Sequence, residues 1–125
     1  DTDGYGTLGS SVTESSGIFT FPSTGYWWIQ FTLVMYAEAD ENYHFISIDT
    51  TLDDSTYSAA ADIYTSTSTD HTHYKSGTGS FLFDVTSTGS CKVKFGLTTD
   101  TTASYTYCHG DVNKTHVTFI KLADT

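Results

Sequence analysis

Between Tyr26 and Tyr36 the chain alternates without a break. Trp27, Ile29, Phe31, Leu33 and Met35 take the odd positions, and Tyr26, Trp28, Gln30, Thr32, Val34 and Tyr36 take the even ones. Successive side chains of an extended strand point to opposite faces, so the pattern predicts a β-strand with five large apolar groups on one side. That odd face must belong to a core. The even face is too aromatic for bulk water and too polar for a second dry core. Tyr and Trp are enriched where subunits meet, so Tyr26, Trp28, Gln30, Val34 and Tyr36 are the expected interface residues, unless loops or the N-terminal arm cover them.

The rest of the chain carries the same signature in shorter pieces. Gly17–Phe21 alternates over a few residues, and Pro22-Ser23-Thr24-Gly25 supplies turn chemistry before the long strand. Further strands are expected over 43–50, 56–65, 79–85, 91–98 and 115–122. Turns are expected at Asp40-Glu41-Asn42, Asp53-Asp54-Ser55 and Thr86–Ser90, a hydroxyl-rich loop over 65–72, and over 99–113 a long polar connection in which Tyr105 and Tyr107 are candidates for a strand. In the weaker strand 56–65, Ala59-Ala60-Ala61 marks a bulge or a helical turn. Over 91–98, Cys91, Val93, Phe95 and Leu97 face inward and Lys92, Lys94 and Thr98 outward. Gly77-Thr78-Gly79 sits between loop and strand. No helical periodicity interrupts this series, and 15% aromatic content with abundant Thr and Ser favours pleated, half-buried surfaces. A chain of 125 residues makes one domain. Many short strands at regular spacing then predict an all-β sandwich or barrel over 17–125, preceded by an arm or loose first strand over 1–16.

Gly17, Phe19, Thr20, Pro22 and Gly25 fall in register with the "G-x-F-T-x-P-x-x-G-x-Y-x-F" region of C1q/TNF-like domains. Trp27 and Ile29 stand where that pattern has its tyrosine and phenylalanine. Gly79–Val85, followed by Gly89 and Lys92-Val93-Lys94-Phe95, resembles the family's paired penultimate strands, and 115–122 occupies the place of its last strand. The resemblance implies a jelly roll of about ten antiparallel strands that forms tight homotrimers around a threefold axis, with Tyr26, Trp28, Gln30, Val34 and Tyr36 in the trimer interface. Thr118-Phe119-Ile120 departs from the glycine the family carries near the middle of its last strand. The hydroxyl-rich loops, such as 49–57, resemble C1q-like domains in structural proteins of tailed bacteriophages.

Charge narrows the partners. Asp and Glu number 15 against 5 lysines, and there is no arginine. Nucleic acid and anionic lipid surfaces both require clustered cations, so neither is an expected partner. The motifs of common enzymes are missing, including a nucleophile elbow, a zinc-binding helix and a phosphate-binding glycine loop followed by a helix. The pairs Asp40-Glu41 and Asp53-Asp54 read as solvated turns rather than tuned acid–base pairs. In His71-Thr72-His73 the two imidazoles point the same way at strand spacing. Three copies on a threefold axis would offer six nitrogen ligands to a transition metal, as in phage fibre trimers; the alternative is a solvated loop. His44, His109 and His116 have no informative spacing. Cys91 and Cys108 are either a disulfide closing a short loop or two small buried thiols. Asn113-Lys114-Thr115 is a glycosylation sequon, meaningful only in a eukaryotic secretory pathway.

Two functions follow as expectations. The first is a non-enzymatic trimeric module on a virion surface (a capsid decoration, head fibre or tail-fibre domain) that touches other virion proteins and a host-surface glycan or receptor. The second is a secreted cellular C1q-like domain that recognises a receptor or glycan.

Overall fold

The computed structural model describes residues 6–37, 41–67, 73–99, 104–106 and 113–125. Nine strands lie among them: β1 (Thr13–Ser15), β2 (Ile18–Thr20), β3 (Gly25–Ala37), β4 (Glu41–Thr51), β5 (Ser58–Thr67), β6 (His73–Val85), β7 (Lys92–Thr99), β8 (Ser104–Thr106) and β9 (His116–Ala123). All pairings are antiparallel, and no helix occurs among the described residues. One sheet runs β1-β2-β7-β4-β5. The other places β3 between β6 on one side and β8 and β9 on the other.

The two sheets pack face to face because β3 alternates as its sequence predicts. Trp27, Ile29, Phe31, Leu33 and Met35 are all buried, and they meet Ile46, Ile48 and Val93 from the opposite sheet. Phe21 is the hub at one end. Its ring lies 5.3–5.8 Å from those of Trp27, Phe83 and Phe119, within the spacing at which aromatic edges and faces attract. Trp27 keeps its indole N–H satisfied by donating to the Ser23 carbonyl at 3.1 Å. Cutting any of these large side chains back to alanine leaves a void worth about 3–5 kcal/mol.

Two glycines of the N-terminal pattern have backbone reasons. Ser16 and Gly17 form the two-residue turn between β1 and β2, with φ of 54° and 78°. Both angles are positive, as a type I′ hairpin turn requires. Gly25 has φ 135°, and a Cβ built there would lie 2.3 Å from the Ala123 carbonyl oxygen. It lets the start of β3 pass beneath the end of β9.

Several local expectations need correction. Gly77 and Gly79 lie inside β6, which begins at His73 and pairs with β3 without a bulge from Ala37↔His73 to Gly25↔Val85. Glu41 and Asn42 belong to β4 rather than to a turn, and Asp40 lies outside the described residues. Residues 65–67 extend β5. Leu97 shares the inner face of β7 as expected, opposite Ile46, but it is exposed near the end of the strand. At Ala59-Ala60-Ala61 the bulge is the alternative realised: Ile48 pairs with Ala61 and Asp49 with Ala59, leaving Ala60 as the extra residue. Part of the 1–16 segment is in the sheet, through β1.

Candidate functional site

The even residues of β3 form the spine of the outer face of the β3 sheet, and the register assigns their neighbours. Trp28 lies between Leu82 of β6 and Ile120 of β9. Tyr26 stands next to it, opposite Asp84 and Ala123. Leu82 and Ile120 are each 48% exposed, and Tyr26 is 41% exposed. Leu122 is also exposed, at the irregularity where β9 shifts register between Tyr26 and Trp27. One end of this face is therefore a contiguous apolar patch that the described chain leaves open.

Further along, the same face is polar. Gln30 lies between Ser80 and Thr118, and Thr32 between Thr78 and His116. The Thr32 and Thr78 hydroxyls share a hydrogen bond of 3.0 Å. At the far end the Tyr36 and Tyr74 rings lie 5.1 Å apart. Val34, between these regions, is fixed from the edge: Thr115 Oγ1 accepts from the Val34 N–H at 3.1 Å and donates to the Val34 carbonyl at 3.2 Å. The five expected interface residues thus share one face, half-buried except for the exposed Tyr26. Their apolar character is concentrated around Trp28.

Asp84 adds a chemical feature. Its Oδ1 is buried and has no hydrogen-bond partner among the described residues, beside the exposed Tyr26 on an otherwise apolar end of the sheet. A buried carboxylate oxygen without a donor is costly in a monomer. A donor arriving from outside would satisfy it.

The other expected site residues fall differently. His71 lies outside the described residues. His73 is the first residue of β6, paired with Ala37, but its side chain is outside the description, so the expected metal pair is too. Among the described residues no group of three or more His, Cys, Asp or Glu side chains converges. Cys91 is a buried, free thiol 3.7 Å from the Thr86 hydroxyl, while Cys108 lies outside the described residues. His44 is fully buried on β4. His116 Nδ1 lies 3.1 Å from the Lys114 carbonyl oxygen. Asn113 is exposed.

The Asp53 turn is as local as its sequence suggests. Asp53 Oδ1 accepts from the N–H groups of Thr56 and Ser55 and from the Thr51 hydroxyl. These bonds hold its carboxyl well below the usual carboxylate range. They are the self-contained bonding of a turn and leave no acid or base poised for chemistry.

Sequence reasoning found the spine of the open face but missed its flanks. Leu82 sits in a strand whose other outward residues are Tyr74, Ser76, Thr78, Ser80 and Asp84, so only Tyr74, at the far end, shares its apolar character and nothing in β6 alone marks it. Ile120 and Leu122 were legible only as part of a final strand. What joins them is the register of β3 against both neighbours.

Comparison with protein families and with characterised proteins finds no match to this sequence.

Proposed function

We propose that this chain is a non-enzymatic, C1q/TNF-like jelly-roll module that assembles as a homotrimer through the outer face of the β3 sheet and serves as a virion structural module, a capsid decoration, head fibre or tail-fibre domain. The observation that carries the reading is the open patch of Tyr26, Trp28, Leu82 and Ile120 with the unsatisfied Asp84 carboxylate beside it. Contiguous exposed apolar surface on a folded domain marks an interaction site. A homotrimer covers such a surface by closed symmetry, each copy's face meeting a different surface of the next copy.

The strand order supports the jelly-roll reading. Pairing nests β4 with β5 and β7, and β3 with β6 and β9, so the chain passes repeatedly between the sheets. A double-sheet jelly roll built from Greek-key connections would take a path of this kind. The turn glycine Gly17 and the close-approach glycine Gly25 are the two positions of the family pattern whose backbone reasons are visible. The secreted alternative rests on the sequon, but Thr115 has a structural role of its own in bridging the Val34 backbone.

Light scattering at micromolar concentration should give three times 13.7 kDa. Trp28→Asp should dissociate the assembly, because it places a charge in a desolvated contact. Lys92→Asp, on the other sheet, should not. A monomer in the unmutated protein overturns the assembly reading. Mass spectrometry of the purified source particle separates the two settings: co-purification with capsid or tail proteins supports the virion module, and a glycan on Asn113 the secreted one.

A further inference from the structure

The open patch on the β3 sheet constrains what can cover it. In a ring of like copies each face meets a different surface of the next copy, so closure needs a second apolar feature away from the patch. Asp84 Oδ1, at the edge of the patch, is buried and has no hydrogen-bond partner among the described residues. The covering surface therefore needs a large apolar side chain with hydrogen-bond donors close to it. It also needs to be free of negative charge, because like charges across a contact repel.

The N-terminal segment meets all three requirements. Every residue over 6–11 is exposed, Val12 packs against the core, and β1 follows at Thr13. Leu8 is 103% exposed, more than any other large apolar side chain among the described residues. Gly9, with φ 82°, takes a left-handed conformation that bends the chain just after Leu8. A groove of about 760 Å³ separates the segment from β9, with Leu8 and Val12 on one side and Val117 and Phe119 on the other. The segment thus stands off its own sheet, and Ile120 of β9 stays half open beside it.

Charge separates Leu8 from the other strongly exposed apolar side chains outside the patch. Residues 4–13 carry no charged side chain, in a chain with 15 acidic residues. Leu52 precedes Asp53 and Asp54, and Tyr64 stands two residues from Asp62, so either of them would bring carboxylates toward Asp84. Around Leu8 the side chains are instead Thr7, Ser10 and Ser11, each with a hydroxyl donor. Reach is sufficient as well. Four residues separate Leu8 from the anchored Val12, an extension of up to about 13–14 Å. From Leu82 through Trp28 to Ile120 the patch spans two strand spacings, about 10 Å. The segment can therefore cross the seam between touching copies and lay Leu8 on the patch.

We infer that the N-terminal segment is exchanged between copies: Leu8 of one copy packs on Trp28, Leu82 and Ile120 of the next, and a hydroxyl beside it donates to Asp84 Oδ1. This rests on the homotrimer reading and supplies the surface that fills its open face. Repeated about a threefold axis the contact closes, each copy giving one segment and receiving one. In an isolated copy the exposed Leu8 gains nothing from its position. Full burial of a leucine side chain corresponds to roughly ten- to hundredfold in affinity at each contact.

The test combines cross-linking between two differently tagged chains with a dilution series by analytical ultracentrifugation. One chain carries Leu8→Cys and the other Leu82→Cys or Ile120→Cys; they are co-expressed, and the mixed oligomer is purified through both tags. Each chain has one added thiol, so a disulfide from position 8 to position 82 or 120, identified by peptide mass spectrometry, can form only between copies. Such a bridge requires Cα atoms within about 7 Å. It should form, and a Leu52→Cys chain offered in place of the Leu8→Cys chain should link to neither position. Leu8→Ser should raise the concentration of half-assembly tenfold or more; the side chain is fully exposed in one copy, so the variant should fold. If the unmutated protein is a trimer but no link forms, or if Leu8→Ser leaves half-assembly unmoved, segment exchange is overturned and the trimer stands. Closure of a single chain carrying both Leu8→Cys and Ile120→Cys onto itself within the trimer overturns it equally, since the segment then lies on its own sheet. A monomeric unmutated protein overturns both.

Discussion

Gly79 offers a quantitative test of how the two sheets are held together beside β5. A Cβ built on Gly79 would stand 1.9 Å from Ile63 Cδ1 and 2.5 Å from Ile63 Cγ1. No contact this short is tolerated, and moving the terminal methyl alone relieves only the first. Ile63 must leave its rotamer or β5 must shift away from β6. The backbone of Gly79 is outside the left-handed region, so alanine carries no conformational strain there. Its smaller unfolded ensemble favours the variant by about 0.4–1 kcal/mol. Overpacking works against it by about 1–3 kcal/mol. Gly79→Ala should therefore destabilise the protein by about 1–2 kcal/mol net in the native background. In an Ile63→Ala background the clash partner is gone, and the same change should be neutral or stabilising. The coupling between the two sites should then be about 1.5–3 kcal/mol, inside the range for residues in direct contact. Urea melts of the four proteins, with m-values held equal, measure it. Additivity within about 0.5 kcal/mol would refute the reasoning, since it would mean that Ile63 does not occupy the space over Gly79.

Three further outcomes are expected. Asp53, whose carboxyl is held low by the Thr56 and Ser55 N–H groups and the Thr51 hydroxyl, contributes stability that is fully present above its unfolded value near 4 and lost as pH falls below it; Asp53→Ala should speed amide exchange at Ser55 and Thr56 at pH 7 and narrow the difference in melting temperature between pH 7 and pH 3, and equal exchange in both proteins would contradict this. Gly25→Ala, with φ 135° and the Ala123 carbonyl oxygen in its way, should cost about 3 kcal/mol or more in urea melts, and a variant within about 0.5 kcal/mol of the parent would show that the two chains do not pass so closely. The Cys91 thiol should resist iodoacetamide in the folded protein and react in denaturant without reductant, as a buried free thiol does; a requirement for reductant, read by peptide mass spectrometry, would instead establish a bridge to Cys108.

The sheet architecture was legible where one strand's alternation was strong enough to stand alone. β3 reads from its own residues because five consecutive odd positions are large and apolar, and the structure buries all five. β6 was legible only from Gly79 onward. Its first half, His73 to Thr78, is polar and glycine-containing, and it is a strand because β3 offers thirteen consecutive partners in register. Tertiary pairing supplied what local propensity did not. The open face shows the same division: its spine was readable from β3, whereas Leu82, Ile120 and Asp84 acquire meaning only once strands far apart in sequence lie side by side.

The pairing of β9 with β3 bears on how the chain reaches this structure. β3 is the central strand of its sheet, yet along Tyr26–Thr32 one of its two neighbours is β9. During synthesis Trp27, Ile29 and Phe31 leave the ribosome roughly ninety residues before Val117, Phe119 and Lys121 arrive to cover that edge. A nascent intermediate would carry an aromatic strand with an unsatisfied backbone edge, the kind of surface that recruits a foreign strand. Completion of the sheet is therefore a late event. Loss of the final eight-residue strand would remove the cover from the strand that all the rest is built around.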